Sequence, residues 1–473
     1  MSSTQSHIHY NYPDSLVRLL EGSDITIAAT TYQGGKVLLV GQDRGELDIR
    51  CKSFPRPMGM CLGENQIYAG MGHGIYQFTH FDSARPALES GSAVSRCYLP
   101  MNIHYTGDVD IHEMAHGDRL YFINTKFSCL CTVDAFTSFT PVWKPPFITS
   151  LQPLDKCHLN GLGLREGKPR YVTALGVCDT PLGWRENKAD GGLLMDVTTN
   201  EILLSGLSMP HSPRWHQDCL WFLESGKGSL SRYENGRAVE VARVPGFTRG
   251  MDLVGDYAFI GVSKVRESAT FSGLPVTRLA RRVCGVWVVN IHTGEILTWI
   301  EFSEGVDEIF AVSVLPGSLV ELADADHGLC RNNYMVGQTE VGEVKMPETR
   351  PEQAVPVFEK GVDLYNAGEK EQAIGAFKQA LKIQPDFLPA TFNMAVALGD
   401  LGQFEAAETI LMEVINKDAS IVETYNSLGY VHYKQGEFAK ARANFEKALS
   451  LNPDYEQARI SLKILSREME AMG

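Results

Sequence analysis

From Asp24 to about Leu315 the apolar residues come in short runs of four to seven, rich in Val, Ile, Tyr, Phe and Trp, with Gly, Asp or Asn between them. Runs of that length and composition predict β-strands rather than helices. A larger unit recurs above them. An entry segment leads into an aromatic-rich strand in RPMGMCLGENQIYAG, DIHEMAHGDRLYFIN, HLNGLGLREGKPRYVTAL, HSPRWHQDCLWFLES and TRGMDLVGDYAFIGV. Two more short strands follow each one, at a spacing of roughly 45 to 60 residues, which is the arithmetic of a four-stranded propeller blade. Five complete blades can be counted, and the ends of the region supply a sixth. EIFAVSVLPG at 308–317 reads as an innermost strand without outer partners, whereas DITIAATTYQ, GKVLLVGQD and GELDIRCKSF are three outer strands without an inner one. Joining them closes the ring and leaves no free edge there. Seven blades would require a strand hidden in the long insert at 265–283.

The last hundred residues change period. Gly361, Ala395 and Gly429 fall 34 residues apart, as do Gly368, Gly402 and Gly436; Ala373, Ala407 and Ala441; and Phe377, Leu411 and Phe445. Small residues in fixed phase let two helices approach, and bulky ones fill the groove between successive pairs. The pattern over 355–457 resembles the tetratricopeptide (TPR) family, with Pro385 and Pro453 ending the first and third units. The middle unit departs from it, reading INKDAS at its exit. An amphipathic helix over 455–470 is expected as a solubilising cap. The fold class is therefore an all-β six-bladed propeller, its closing blade shared by both ends, followed by an all-α TPR solenoid. The expected organisation is an N-terminal extension at 1–23, the propeller at 24–320, a linker at 321–354 and the helical repeats at 355–473. The charged, proline-containing stretch TEVGEVKMPETRPEQAVP carries the linker assignment. Three such units form a concave groove, so the expected partner is a peptide or another protein.

With 43 Lys and Arg against 57 Asp and Glu, the formal net charge is −14, and no clustered basic surface is visible. Nucleic acid is excluded as a partner on that basis. No stretch approaches twenty apolar residues, and the N-terminus has no basic segment leading into an apolar run, so neither a membrane span nor export is expected. The protein reads as cytoplasmic. Its ten cysteines show no small-domain spacing and are expected as buried thiols. Cys129 and Cys131 share one face of a strand, where a core role outweighs a metal or redox one.

In a propeller the segments entering the innermost strands, and the loops between second and third strands, emerge together at one mouth of the channel. Here they carry most of the unusual residues. The expected catalytic set is His112, His158, His211, Arg249 and Glu308, with Trp184, Arg185, Lys188, Arg214, Lys264 and Arg266 binding substrate. Convergent imidazoles, carboxylates and guanidinium groups are what a ligand or catalytic site requires. Polar residues in a wet channel can equally be satisfied by water. His112, Asn160, His211 and Glu308 could hold zinc, manganese or iron, since imidazole, amide oxygen and carboxylate suit those ions. The arrangement is similar to six-bladed lactonase-type propellers, which place a metal there, a likeness of fold that carries no activity across. Arg249 would oppose a cation and suit an anionic substrate group. His112-Glu113-Met114-Ala115-His116 spells the zinc-protease signature, but that signature works on a helix, and the alternation here predicts a strand. On a strand the two imidazoles would stand roughly 13 Å apart, far too distant for one zinc ion. GMGHG at 70–74 is a hairpin turn, not a phosphate loop, because no helix follows. Ser212, Ser225 or Cys157 beside a histidine could act as a nucleophile, and nothing in the sequence selects among them.

The blocks TGDVDIHEM, NTKFSCL, KCHLNGL, GWRENKADGG, MPHSPRWH and PGFTRG resemble a bacterial family of conserved hypothetical proteins, over nearly all of 20–317. That resemblance implies a fold and no particular activity; a TPR extension occurs in some members and points to a peptidic substrate or client. Two functions follow. One is an enzyme acting at the propeller mouth on a small polar or anionic group, carried on a client that the repeats recruit. The other is a non-catalytic adaptor with two recognition surfaces, in which groove residues such as Asn393 and Asn426 govern function. A carboxylate clamp would need several cations on the inner helices, which offer Lys360 and little else.

Overall fold

The computed structural model describes residues 8–84, 94–265, 272–324, 329–336, 339–341 and 354–472. The chain divides into two compact units, Met1–Glu343 and Val344–Gly473.

The first unit is a six-bladed propeller. The innermost strands are Met60–Leu62, Ile111–His116, Leu159–Arg165, Pro210–His216, Phe247–Val254 and Val312–Pro316, and each touches the next until the ring closes. Four-stranded antiparallel blades extend outward from them, numbered along the chain with the closing blade as the first, so that Met60–Leu62 opens the second, Ile111–His116 the third, Pro210–His216 the fifth and Phe247–Val254 the sixth. The closing blade is built as the sequence predicts. Val312–Pro316 pairs with Ile25–Thr31, Ile27 lying opposite Val314, and Lys36–Asp43 and Glu46–Ser53 follow outward. No additional strand occurs between 272 and 283 among the described residues, where the chain forms a short turn of helix at Pro275–Arg278.

The boundaries read from the sequence are too narrow at both ends. Residues 9–23 were expected outside the propeller, yet His9–Asn11 pairs with the outer strand Ile296–Glu304. The helix Asp14–Ser23 lays Leu16 and Leu20, both fully buried, among Ile27, Phe259 and Ile300. At the other end Val320–Leu322 pairs in parallel with the outer strand Arg96–Tyr105, where a linker was expected. Glu321 is held there by ion pairs to Arg50 and Lys52. The physical reason is common to both: an outer blade edge presents unpaired N–H and C=O groups, and the segments flanking the ring cover two of these edges.

The second unit contains three helical hairpins, Ala354–Asn366 with Lys370–Ile383, Leu388–Asp400 with Phe404–Lys417, and Val422–Lys434 with Phe438–Leu451, then the helix Glu456–Met472. The hairpin turns need left-handed backbone, and Gly368, Gly402 and Gly436 supply it at φ +84°, +78° and +78°. Size is matched across each hairpin. Phe377 packs on Gly361 and Phe445 on Gly429, where an added Cβ would stand 2.6 Å from the ring in both cases, while the middle unit combines Ala395 with the smaller Leu411. The irregular INKDAS exit has its own device. The Asp418 carboxylate accepts the backbone N–H and the hydroxyl of Ser420, an Asx turn that ends the helix without proline. In the last helix Lys463 occupies the phase of Gly361, Ala395 and Gly429 and is exposed.

Candidate functional site

The ends of the six innermost strands surround two cavities. The entry ends enclose one of about 300 Å³, lined by Tyr32, Arg56, Met58, Asp110, His112, Asp155, His158, Trp184, Arg185, Met209, His211, Phe247, Arg249 and Phe310. Four residues of the expected catalytic set, His112, His158, His211 and Arg249, meet there, together with Trp184 and Arg185. The fifth, Glu308, is nearly buried beside them. It accepts the Gln33 N–H at 2.9 Å, and burial raises its pKa although Arg249 attracts its charge.

The backbone is unusual at this place. Arg56, Asp110, Asp155, His158 and Met209 all line the cavity and all have left-handed φ between 46° and 53°. Non-glycine residues in that region carry strain, and such strain concentrates at functional sites. The innermost strands are also bulged here, with register breaks at Leu159/Gly161, His211/Arg214 and Thr248/Met251. Bulges of this kind re-aim side chains.

Each histidine is fixed through Nδ1. His112 Nδ1 lies 3.2 Å from the Asp110 carbonyl, and His211 Nδ1 lies 3.0 Å from the Met209 carbonyl and 2.8 Å from Ser225 Oγ. A carbonyl can only accept, so these nitrogens carry the proton and Nε2 keeps its lone pair. Burial first, then the nearby His158 and Arg249, hold the pKa of both His112 and His211 well below the ordinary value, so both are neutral at pH 7. His158 differs, because its Nδ1 sits 2.9 and 3.0 Å from the two oxygens of the Asp155 carboxylate. Asp155 also accepts the Trp184 indole N–H at 3.0 Å. The His158 ring is thereby fixed between His112, 4.7 Å away and perpendicular, and Trp184 at 4.5 Å. The Arg249 guanidinium lies 3.6 Å above the Phe310 ring, which also meets His112 and Tyr32 edge-on. The arrangement offers one carboxylate–imidazole dyad, two neutral imidazoles and one half-buried cation over an aromatic floor.

Other expected residues lie elsewhere. Arg214 points away from the mouth into the second cavity and pairs with Glu113 at 2.6 Å, while Ser212 Oγ donates to the other Glu113 oxygen at 3.0 Å. Ser212 and Arg214 lie in the fifth blade and Glu113 in the third, so this buried network crosses the channel. Lys264 pairs with Asp307 at 3.7 Å, and Lys188 Nζ lies 3.4 Å from Ser272 Oγ; neither lines the mouth. Arg266 falls outside the described residues. The four residues read as metal ligands are divided: His112 and His211 line the cavity, but Asn160 is buried in the wall with its Oδ1 bound to the Thr173 hydroxyl, and Glu308 caps Gln33. Among the described residues no three His, Cys, Asp or Glu side chains are grouped closely enough to hold a metal ion. The HExxH segment is a strand, with His112 at the mouth and His116 stacked on Tyr68. Cys157 is fully buried and its thiol pKa is pushed up to about 12 by that burial. Cys129 and Cys131, both buried, lie 3.4 Å apart in the core of the third blade. Arg56 and Phe310 are contributors that the sequence did not single out. Each stands at the entry phase of its blade, which is the signal that could have found them.

This molecule is a six-bladed propeller with a polar, strained mouth, joined to helical repeats. The chain belongs to the family described as "Domain of unknown function (DUF4915)", which matches residues 14–322. Two tetratricopeptide repeat families match residues 364–423 and 422–455. Relatives include the human protein O-mannosyl-transferase TMTC1, 28% identical over 120 residues that make up 24% of this chain and 14% of that protein. The wheat Hsp70-Hsp90 organizing protein is 28% identical over 103 residues, 22% of this chain and 18% of its own length. An uncharacterized protein of Methanocaldococcus jannaschii, MJ0572, is 40% identical over 50 residues, 11% of this chain and 58% of its own. The chain thus spans only a minor part of the first two and little more than half of the third. Similar solved structures include the first TPR domain of human RPAP3, 22% identical, covering 26% of this chain and 95% of that one with a TM-score of 0.25. MamA from Desulfovibrio magneticus RS-1 is another, 22% identical over 26% of this chain and 68% of that one, with a TM-score of 0.24. Among the described residues no helix is long and apolar enough to cross a membrane.

Proposed function

We propose that the propeller mouth is an active site for proton transfer on a small substrate with an anionic group, and that the helical repeats recruit the peptide or protein client that carries it. One observation supports the chemistry above the others: His158 is held by Asp155 beside a neutral His112, on strained backbone, with Arg249 in the same cavity. A carboxylate-oriented imidazole can take a proton and return it. The Arg249 guanidinium, poorly hydrated on the Phe310 ring, would bind a carboxylate or phosphate and stabilise charge that develops next to it. Neutral His112 and His211 can accept hydrogen bonds from substrate hydroxyls without repelling it. Recruitment by the repeats rests on the matching TPR families and on Tyr430, 40% exposed on the first helix of the third hairpin. Asn393 donates to the Pro389 carbonyl, which leaves its oxygen for a partner.

The test uses the full chain with a panel of 2-oxo and 2-hydroxy acids and their phosphate esters. Binding is followed by calorimetry and exchange of carbon-bound hydrogen with deuterated water by NMR. The expected result is binding that Arg249→Gln removes and exchange that His158→Gln removes while binding persists. Binding without exchange in the wild type would favour the adaptor, and no binding sensitive to Arg249 would refute the site. Elemental analysis of wild type beside His211→Ala tests the metal-assisted form: a stoichiometric zinc, manganese or iron lost in the variant would replace proton transfer with metal-centred chemistry.

A further inference from the structure

The second cavity lies farther along the same innermost strands, at the opposite end of the channel. It also measures about 300 Å³, and all six blades contribute to it. In each contributing blade the lining residue stands beyond the one at the mouth: Met114 after His112, Leu164 after His158, Arg214 after His211, Asp252 after Arg249. The walls are as polar as they are apolar, with Met60, Leu62, Met114, Leu164, Trp215 and Val312 supplying the apolar side chains. Two ionisable side chains interrupt them, Arg214 and Asp252, from the adjacent fifth and sixth blades. They attract each other's charge without an ion pair between them, and Asp252 has no cationic partner at ion-pair distance among the described residues.

Neither group is saturated. Arg214 donates to the Leu162 and Pro213 carbonyls at 3.0 Å and to Glu113 at 2.6 Å, and a guanidinium has two further N–H donors. Asp252 accepts the Leu253 and Val314 N–H groups at 2.9 and 2.8 Å, and a carboxylate can accept about two more bonds. Arg214 keeps free donors beside its Glu113 pair, and Asp252 faces the same cavity with no ion pair of its own among the described residues; a cation and a carboxylate held apart in this way match a ligand with opposite charges at its own ends, most of all at Asp252, whose desolvation is costly unless it is paired. We propose that this far cavity binds a small zwitterion with an apolar body, of the amino acid or dipeptide class, its carboxylate on Arg214 and its ammonium on Asp252. Burial raises the Asp252 pKa against the opposing pull of the Val314 and Leu253 N–H groups, Arg214 and His216, so binding should weaken in acid as that carboxylate takes a proton. The inference is independent of the chemistry at the mouth.

The test is calorimetry on the full chain with L-leucine, L-methionine and glycyl-leucine, each beside its N-acetyl form, which lacks the ammonium, and its amide, which lacks the carboxylate. At least one zwitterion is expected to bind, at least about tenfold tighter than either of its blocked forms. Asp252→Asn should abolish discrimination against the N-acetyl form, and Arg249→Gln at the mouth should leave binding unchanged. Leu62→Trp, which fills the cavity from its rim, should abolish binding and serves if Asp252→Asn does not fold. Absence of binding by every zwitterion, blocked forms that bind equally well, affinity unchanged in Leu62→Trp, or affinity lost in Arg249→Gln would each overturn the proposal.

Discussion

Keeping His112 and His211 neutral has a cost in acid. Burial depresses both pKa values in the fold, with Arg249 and His158 adding to the effect. The unfolded chain takes protons as pH falls through the ordinary value of 6.5, and the folded protein does not. Stability is therefore full above that pH and declines below it, until the folded-state histidines titrate. Each pH unit amounts to about 1.4 kcal/mol per group, so moving from about pH 7.5 to about pH 5.5 should remove about 1.4 kcal/mol per histidine and roughly 3 kcal/mol for both. The assay is available in the sequence. All six tryptophans, at 143, 184, 215, 221, 287 and 299, lie in the propeller and none in the repeats, so tryptophan fluorescence in urea reports the propeller alone. His112→Gln and His211→Gln should each remove about half of the excess acid sensitivity, and the double variant nearly all of it. A double variant as acid-sensitive as the wild type would refute the assignment of these histidines as neutral in the fold.

Two further outcomes test how the units are built. Gly429→Ala drives a methyl into the Phe445 ring and should cost about 1–3 kcal/mol of helical stability by circular dichroism, with the propeller signal unmoved. Combining it with Phe445→Leu, which copies the Ala395 and Leu411 pair of the middle unit, should recover at least about 0.5 kcal/mol relative to the sum of the single effects; additivity would refute the size-matching argument. Leu20→Ala, in the first helix, should lower propeller stability by about 2–5 kcal/mol; an unchanged fluorescence transition would mean that residues 14–23 are only appended.

The elements and their repetition can be read from the residues alone, because those rest on local physics. Alternation of apolar and polar residues, with turn formers between, specifies strands wherever it occurs, and the 34-residue phase of small and bulky residues specifies helical hairpins. The sharing of the closing blade was legible too, since EIFAVSVLPG lacked outer partners and the N-terminal strands lacked an inner one. Most of the mouth was legible once the blade phase was known, and that phase collected His112, His158, His211 and Arg249. The tertiary structure alone decided which side chains share a cavity. Arg214 and Arg249 both looked like entry residues, yet they face opposite ends of the channel: Arg249 stands in the phase of His211, whereas Arg214 stands three residues beyond His211, past a register break that keeps it facing the channel. One bulged residue reverses the alternation that sequence reasoning depends on. The dyad of Asp155 with His158 needs two left-handed residues at 46° and 49°, conformations that no sequence pattern here announces. The covering of two blade edges by residues 9–11 and 320–322 likewise depends on where the ring brings its ends. Local periodicity fixes what a segment becomes; the closure of the ring fixes what it meets.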